Sequence, residues 1–205
     1  MTEYSFREVR FVQKKEQIRM AAIKVIAKEG FFNATTDKIA KEASVAVGTL
    51  YNYFASKEDI LDYIFEIESK KRISYYTEIK NSDKEWIEKV DEILRFHFQE
   101  MRKDPDIVKI VLAERINASR SKLISLQNFA KLPKILSEVL EKGIEKNKIR
   151  QCDVKIMALI IFGFIEAVMG EFLVNRSEQF LDKALKEICD LLKEGLSNRI
   201  RLPLL

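Results

Sequence analysis

The 205 residues of this chain predict an all-α fold, and three observations carry that reading. Only three prolines and six glycines are present, too few turn formers for many hairpins. Apolar residues make up 47% of the chain, enough for a packed core and against disorder. Those residues also recur with a helical period between capping signals along the whole length.

The elements follow in order. A first helix is expected over about 12–29, with Ile18, Ala22, Val25 and Ile26 on one face and Gly30 as a left-handed stop behind which Phe31 folds back. Thr36 is read as the cap of a short helix over 37–43, with Asp37 favourable at its positive end and Ile39, Ala40 and Ala43 pointing inward. A turn at Ser44 and Val45 leads to a third helix over 47–54, anchored by Leu50 and Phe54. Ser56-Lys57-Glu58-Asp59 has the spacing of a capping box and opens a long helix to about 79. Ser82-Asp83-Lys84-Glu85 repeats that pattern and opens a helix to about 103. Asp104-Pro105 begins the next, by cap and first-turn proline. A helix over about 123–145, bent near Pro133, one from the Asp153 cap to about 174, and one from the Ser177 cap to about 198 complete the chain.

Several functional classes are excluded or disfavoured by the same residues. The net charge of +4 is mildly basic and compatible with a nucleic-acid partner without demanding one. Cys152 and Cys189 match no metal-ligand spacing, so the chain reads as reduced and cytoplasmic. Residues 1–10 are charged throughout, unlike a signal peptide. The longest apolar run, 156–165, is ten residues against the roughly 20 a bilayer needs, so it reads as a buried helix and no membrane partner is expected. No phosphate-cradling glycine loop, nucleophile elbow or His–Glu metal motif is present, and Glu166 and Glu171 do not share a helix face, so neither an enzyme nor a metal site nor a resident cofactor is expected. His97, the only histidine, falls on the apolar stripe of the fifth helix and reads as a hydrogen-bonded core residue.

The stretch VAVGTLYNYFASKEDIL, residues 45–61, stands out. Once Leu50 and Phe54 turn inward, the other face holds Val47, Gly48, Tyr51 and Asn52, small and polar with an aromatic hydroxyl and no charge. A short helix presented by a helix and a turn suits the major groove of B-DNA, about 12 Å wide. Gly48 would let phosphate come close to the backbone, Thr49, Tyr51 and Tyr53 would donate hydroxyls to phosphate, and Lys57 would add a charge. Val47 and Asn52 are placed to meet base edges, a thymine methyl and an adenine respectively.

TTDKIAKEASVAVGTLYNYFASKEDIL resembles the signature of the TetR family of bacterial transcriptional repressors, over about 18–64. The resemblance implies an all-α homodimer with a three-helix DNA-binding domain, here 1–56, and a larger ligand-binding and dimerisation domain, 57–205. It also implies that Thr36, Val47, Gly48, Thr49, Tyr51, Asn52, Tyr53 and Lys57 occupy DNA-contacting positions, with Asp37 where some members place a base-reading residue. Ser44 replaces a frequent glycine in the turn, and Ala46 a frequent serine cap.

VLAERINASRSKL, LPKILSEVLEKGIEKNKI and IIFGFIEAVMGEFLVNR are similar to the fatty-acid-metabolism (FadR) type of that family, which implies a long-chain acyl-CoA inducer; a multidrug-type regulator of another apolar compound, or a helical adaptor that does not bind DNA, are the alternatives. Phe96, Met101, Ile110, Phe129, Met157, Phe162, Met169 and Phe172 are candidate tunnel residues, the type of set that cores also use. Arg115, Arg120 and Lys122 are candidates for the phosphates of a CoA head group. Gly163, Ala167 and Gly170 form a small-residue stripe suited to a dimer interface or to close packing within one subunit.

Overall fold

The computed structural model describes residues 3–115 and 127–197, and the secondary structure named among them is nine helices. These are α1 (Glu3–Glu29), α2 (Thr36–Glu42), α3 (Val47–Tyr51), α4 (Lys57–Asn81), α5 (Trp86–Lys103), α6 (Pro105–Arg115), α7 (Lys131–Glu145), α8 (Val154–Asn175) and α9 (Glu178–Leu196). The chain divides into two compact units: residues 1–69 with 106–127, and residues 70–105 with 128–205. Helix α4 contributes to both.

In the first unit, α1, α2 and α3 form the three-helix arrangement expected from the sequence, and each turn has an identifiable cause. Gly30, at φ +78°, closes α1 with its N–H on the Ile26 carbonyl, and Phe31 is buried behind it. Ile18, Ala22, Ile26, Ile39, Ala40, Leu50 and Phe54 make the core together with Ile60, Leu61, Ile64 and Phe65 of α4. Ser44 adopts φ 54°. A non-glycine residue there is about 1–2 kcal/mol less favourable than in the right-handed region. The geometry is held by a Schellman motif, in which Val45 N–H donates to Ala40 O at 2.9 Å and Ser44 N–H to Lys41 O at 3.1 Å. Gln17 Nε2 ties α1 to the same corner through the Ala43 carbonyl, at 2.6 Å. Arg19, buried, pairs with Glu16 at 2.6 Å and with buried Glu68 at 3.5 Å.

The second unit is a helical bundle in which α7 packs most extensively on α8, and α9 on α5. Its core holds Val90, Ile93, Leu94, Phe98 and Met101 from α5, Leu132, Leu136, Val139 and Leu140 from α7, Ile161, Phe162 and Ile165 from α8, and Leu181, Leu185 and Leu192 from α9. Gly143 is required by packing: a Cβ there would stand 2.5 Å from Ile149 Cδ1. His97 is buried, and its Nε2 shares a 2.5 Å hydrogen bond with the hydroxyl of fully buried Tyr76, as its place on the apolar stripe implied.

The structure corrects several boundaries. Helix α1 begins at Glu3, nine residues before the expected start. The cap of α2 is Thr35, whose Oγ1 accepts from Lys38 N–H, and Thr36 is the first helical residue. Helix α3 stops at Tyr51, and Phe54 is anchored by its N–H on Leu50 O at 3.1 Å. Ser56 caps α4 by accepting from Asp59 N–H at 3.1 Å, but the Asp59 carboxylate accepts from Ala55 N–H rather than from Ser56 N–H, so only half of the expected box forms. Ser82 does not cap α5: its hydroxyl donates to Ile79 O and closes α4, while Glu85 and Glu88 make the box that opens α5. Helix α7 starts at Lys131, so Pro133 lies in its first turn, where its missing N–H breaks no helical bond; residues 123–126 of the expected helix lie outside the described residues. Helix α8 is not simply buried. It is apolar on two sides, and Ile156, Leu159, Ile160 and Val174 are 57%, 60%, 43% and 82% exposed. By length and composition alone, it is the one helix among the described residues that could cross a membrane.

Candidate nucleic-acid interface and ligand region

Helix α3 buries Leu50 and leaves a face of uncharged side chains. Gly48, Tyr51 and Asn52 are exposed, Val47, Thr49 and Tyr53 half-buried. Ala46 supplies no side-chain cap. A serine there would add on the order of 1 kcal/mol, so this short helix depends on its Leu50 and Phe54 anchors. A Cβ at Gly48 would meet nothing within 4 Å, so no packing inside the protein requires the glycine. What it preserves is access to the backbone from outside.

Thr36, half-buried, brings its hydroxyl to 3.2 Å from that of Tyr51, pairing two expected hydroxyl donors from different helices. Asp37 is exposed beside them in the first turn of α2. Lys57 has an additional task. Its ammonium donates to the carbonyls of Phe31, Ala34 and Phe32 at 2.7, 2.8 and 3.3 Å and lies 4.4 Å from the centre of the Phe31 ring. It fixes the loop that leads into α2, and all three donors of the ammonium are engaged.

Reading the sequence missed a second feature, because it began α1 too late. Arg10, Phe11, Gln13, Lys14, Gln17 and Tyr53 line a groove of about 520 Å³. Phe11 leans on Tyr53 with ring centroids 4.7 Å apart. The available signal was the i, i+3, i+4, i+7 spacing of Arg10, Gln13, Lys14 and Gln17, which places all four on one face of a helix.

The ligand candidates fall in both units. Ile110 belongs to the first, where it is buried in α6. In the second, an aromatic series does come together. Tyr75 stacks on half-buried Phe96 at 4.3 Å, and His97 lies 6.0 Å from Phe96 and 6.1 Å from Phe162, which is 6.2 Å from Tyr76. Burial pushes the Tyr76 phenol far above its ordinary range, so it stays neutral. Met101, Met169 and Phe172 are buried, the last with the Arg176 guanidinium 5.9 Å from its ring centre, and Met157 is half-buried. Phe129 lies under the Arg72 guanidinium at 5.8 Å. Arg115 ends α6, and Arg120 and Lys122 lie outside the described residues.

Gly163 and Ala167 are exposed and Gly170 half-buried. Among the described residues, a Cβ on either glycine would meet nothing within 4 Å, so close packing among them does not account for the stripe. Between α5 and α9, a groove of about 380 Å³ is lined by Asp91, Arg95, Asp182, Leu185, Lys186, Cys189 and Asp190. Burial, and then a hydrogen bond to Asp91, push the Cys189 thiol up to about 12. Among the described residues, no group of three or more His, Cys, Asp or Glu side chains could hold a metal ion.

This helix-turn-helix geometry coincides with a recognised domain. Residues 18–64 match the family described as bacterial regulatory proteins, tetR family. Over nearly its whole length the chain is similar to fatty-acid regulators. It is 29% identical to the fatty acid metabolism regulator protein of Bacillus subtilis, covering 91% of this chain and 97% of that one. The fatty acid degradation regulator FadR of Bacillus halodurans superposes with a TM-score of 0.81 at 28% identity, over 91% of this chain and 97% of that chain. FadR of Bacillus subtilis, solved in complex with stearoyl-CoA, gives 0.79 at 28% identity over 88% and 98%.

Proposed function

We propose that this chain is a ligand-controlled transcriptional repressor that binds a near-palindromic operator as a homodimer and is released by long-chain acyl-CoA. The observation that carries the reading is similarity along the whole chain, not only along the reading head, to a regulator that holds stearoyl-CoA. Residues 1–56 read DNA, and 57–205 bind the ligand and the second copy. Thr36, Asp37 and the outward residues of α3 meet the operator, with Val47 and Asn52 at base edges and the hydroxyls on phosphates. The face of α8 around Gly163, Ala167 and Gly170 meets the same face of another copy, and the exposed Ile156, Leu159, Ile160 and Val174 support this by extending the surface as a continuous apolar strip. The protein works in the cytoplasm and performs no catalysis.

The acyl chain would occupy the aromatic and methionine-rich interior, each buried methylene contributing about 0.8 kcal/mol. Release requires that acyl-CoA prefer the conformation that binds DNA poorly. Titrating acyl-CoAs of rising length into a protein–DNA complex tests this: potency should rise steeply with chain length and then level off. Equal potency at all lengths, or no release, would favour a regulator that senses an unrelated apolar compound.

A further inference from the structure

The groove along the N-terminal half of α1 carries Arg10 and Lys14, and through Tyr53 it adjoins the exit of α3. Arg10 makes no hydrogen bond or ion pair among the described residues. Lys14 gives its ammonium only to the neutral amide oxygen of Gln17, at 2.9 Å. Among the described residues, no carboxylate lines the groove. Glu16, the nearest acid in sequence to Lys14 on its C-terminal side, is held by Arg19 at 2.6 and 2.8 Å. Glu8 stands two positions before Arg10, roughly 200° away around the helix. Two positive charges therefore face a solvent-open groove with nothing among the described residues to neutralise them.

The position of the groove indicates what would neutralise them. One wall is Tyr53, two residues past the end of α3, and Phe11, 48% exposed, packs on that ring. Gln17 joins the same face of α1 to Ala43, the cap residue that ends α2. The groove is thus held in register with the helix-turn-helix and continues its outward surface. Residues 10–14 precede the segment that matches the family, residues 18–64, so nothing in that match assigns them a role.

We infer that the N-terminal part of α1 is a second DNA contact, in which Arg10 and Lys14 grip the phosphate backbone beside the base-reading helix and Tyr53 and Phe11 form the wall that positions them. The inference rests on the DNA-binding reading above. A guanidinium forks onto two phosphate oxygens and an ammonium serves as a point charge, so both suit backbone, which carries no sequence information. The contact should therefore add affinity and salt dependence while leaving base preference unchanged.

The test is the salt dependence of binding to a random-sequence DNA duplex, followed by fluorescence anisotropy. Each phosphate contact contributes about 0.9 to the slope of log K against log salt. The double variant R10A/K14A should flatten the slope by about two per protomer, and R10A alone by about one. R10A removes an exposed side chain with no partner among the described residues, so it should leave the thermal melt unchanged and keeps the test valid if the double variant is unstable. Both variants should select the same bases as the parent. A parent slope retained in R10A and R10A/K14A would overturn the inference while the DNA-binding reading stands. A parent chain that binds no duplex at all would overturn the reading itself.

Discussion

Helices α3 and α8 each keep one face uncovered, and the two faces differ in kind. That of α3 is Gly48, Tyr51 and Asn52, small and hydrogen-bonding. That of α8 is Ile156, Leu159, Ile160, Gly163, Ala167 and Val174, small and apolar. On both, the glycines face open space, unlike Gly143, which is walled in by Ile149 and Trp86. At α3 and α8 no packing among the described residues needs the glycine, so each leaves room for a surface outside the chain. The polarity around it indicates which kind of surface: a hydrated one at α3, a dry one at α8. In the proposed function these are operator DNA and a second copy of the chain.

The largest effect should come from placing charge on the dry face. Leu159→Asp or Ile160→Asp should abolish dimerisation, halving the mass measured by sedimentation and weakening operator binding by a hundredfold or more. Because these residues point outward, the helical circular dichroism should persist. Loss of folding together with loss of the dimer would mean that the face packs within the chain.

Next come the glycines. Gly143→Ala forces a methyl group onto Ile149 and should cost about 1–3 kcal/mol in denaturant unfolding. Gly170→Ala should leave the unfolding of a dissociated chain unchanged or slightly improved, since it removes a flexible residue from a helix.

Lys57→Ala sharpens the account of the reading head. It strips donors from the Phe31, Phe32 and Ala34 carbonyls, and hydrogen bonds to a charged group are worth about 1.5–3 kcal/mol each. The free protein should therefore melt at a lower temperature even without DNA. An unchanged melt would mean that the lysine serves DNA alone.

Smaller still are the effects on base choice. Asn52→Ala or Val47→Ala should shift preference at one or two positions of the site by about 1–3 kcal/mol. Tyr51→Phe should weaken binding to every sequence alike, by removing the hydroxyl that it shares with Thr36.

The reading head was legible because its signals are local. Gly30, the Ser56 cap on Asp59 N–H and the Leu50–Phe54 pair each act within a few residues, and all three are present in the structure. Where local signals competed, sequence alone could not choose. Ser82 could close α4 or open α5, and only the Ile79 carbonyl within reach decides it. The α8 stripe was visible as a spacing, yet whether it faced in or out depends on which helices cover it. The ligand candidates were the least legible. Phe162 and Met169 are apolar and buried in either reading, and burial alone does not distinguish a tunnel wall from a core. Lys57 was identified as basic, but its hold on a loop 23 to 26 residues earlier in sequence could not be.

Selection of binding sites from random DNA tests the central claim most directly, because it asks whether the polar face reads sequence and the apolar face pairs the readers. The account predicts enrichment of inverted half-sites, their centres about one helical turn (34–36 Å) apart or slightly more. Enrichment of single, unpaired half-sites, or of no sequence at all, would contradict it.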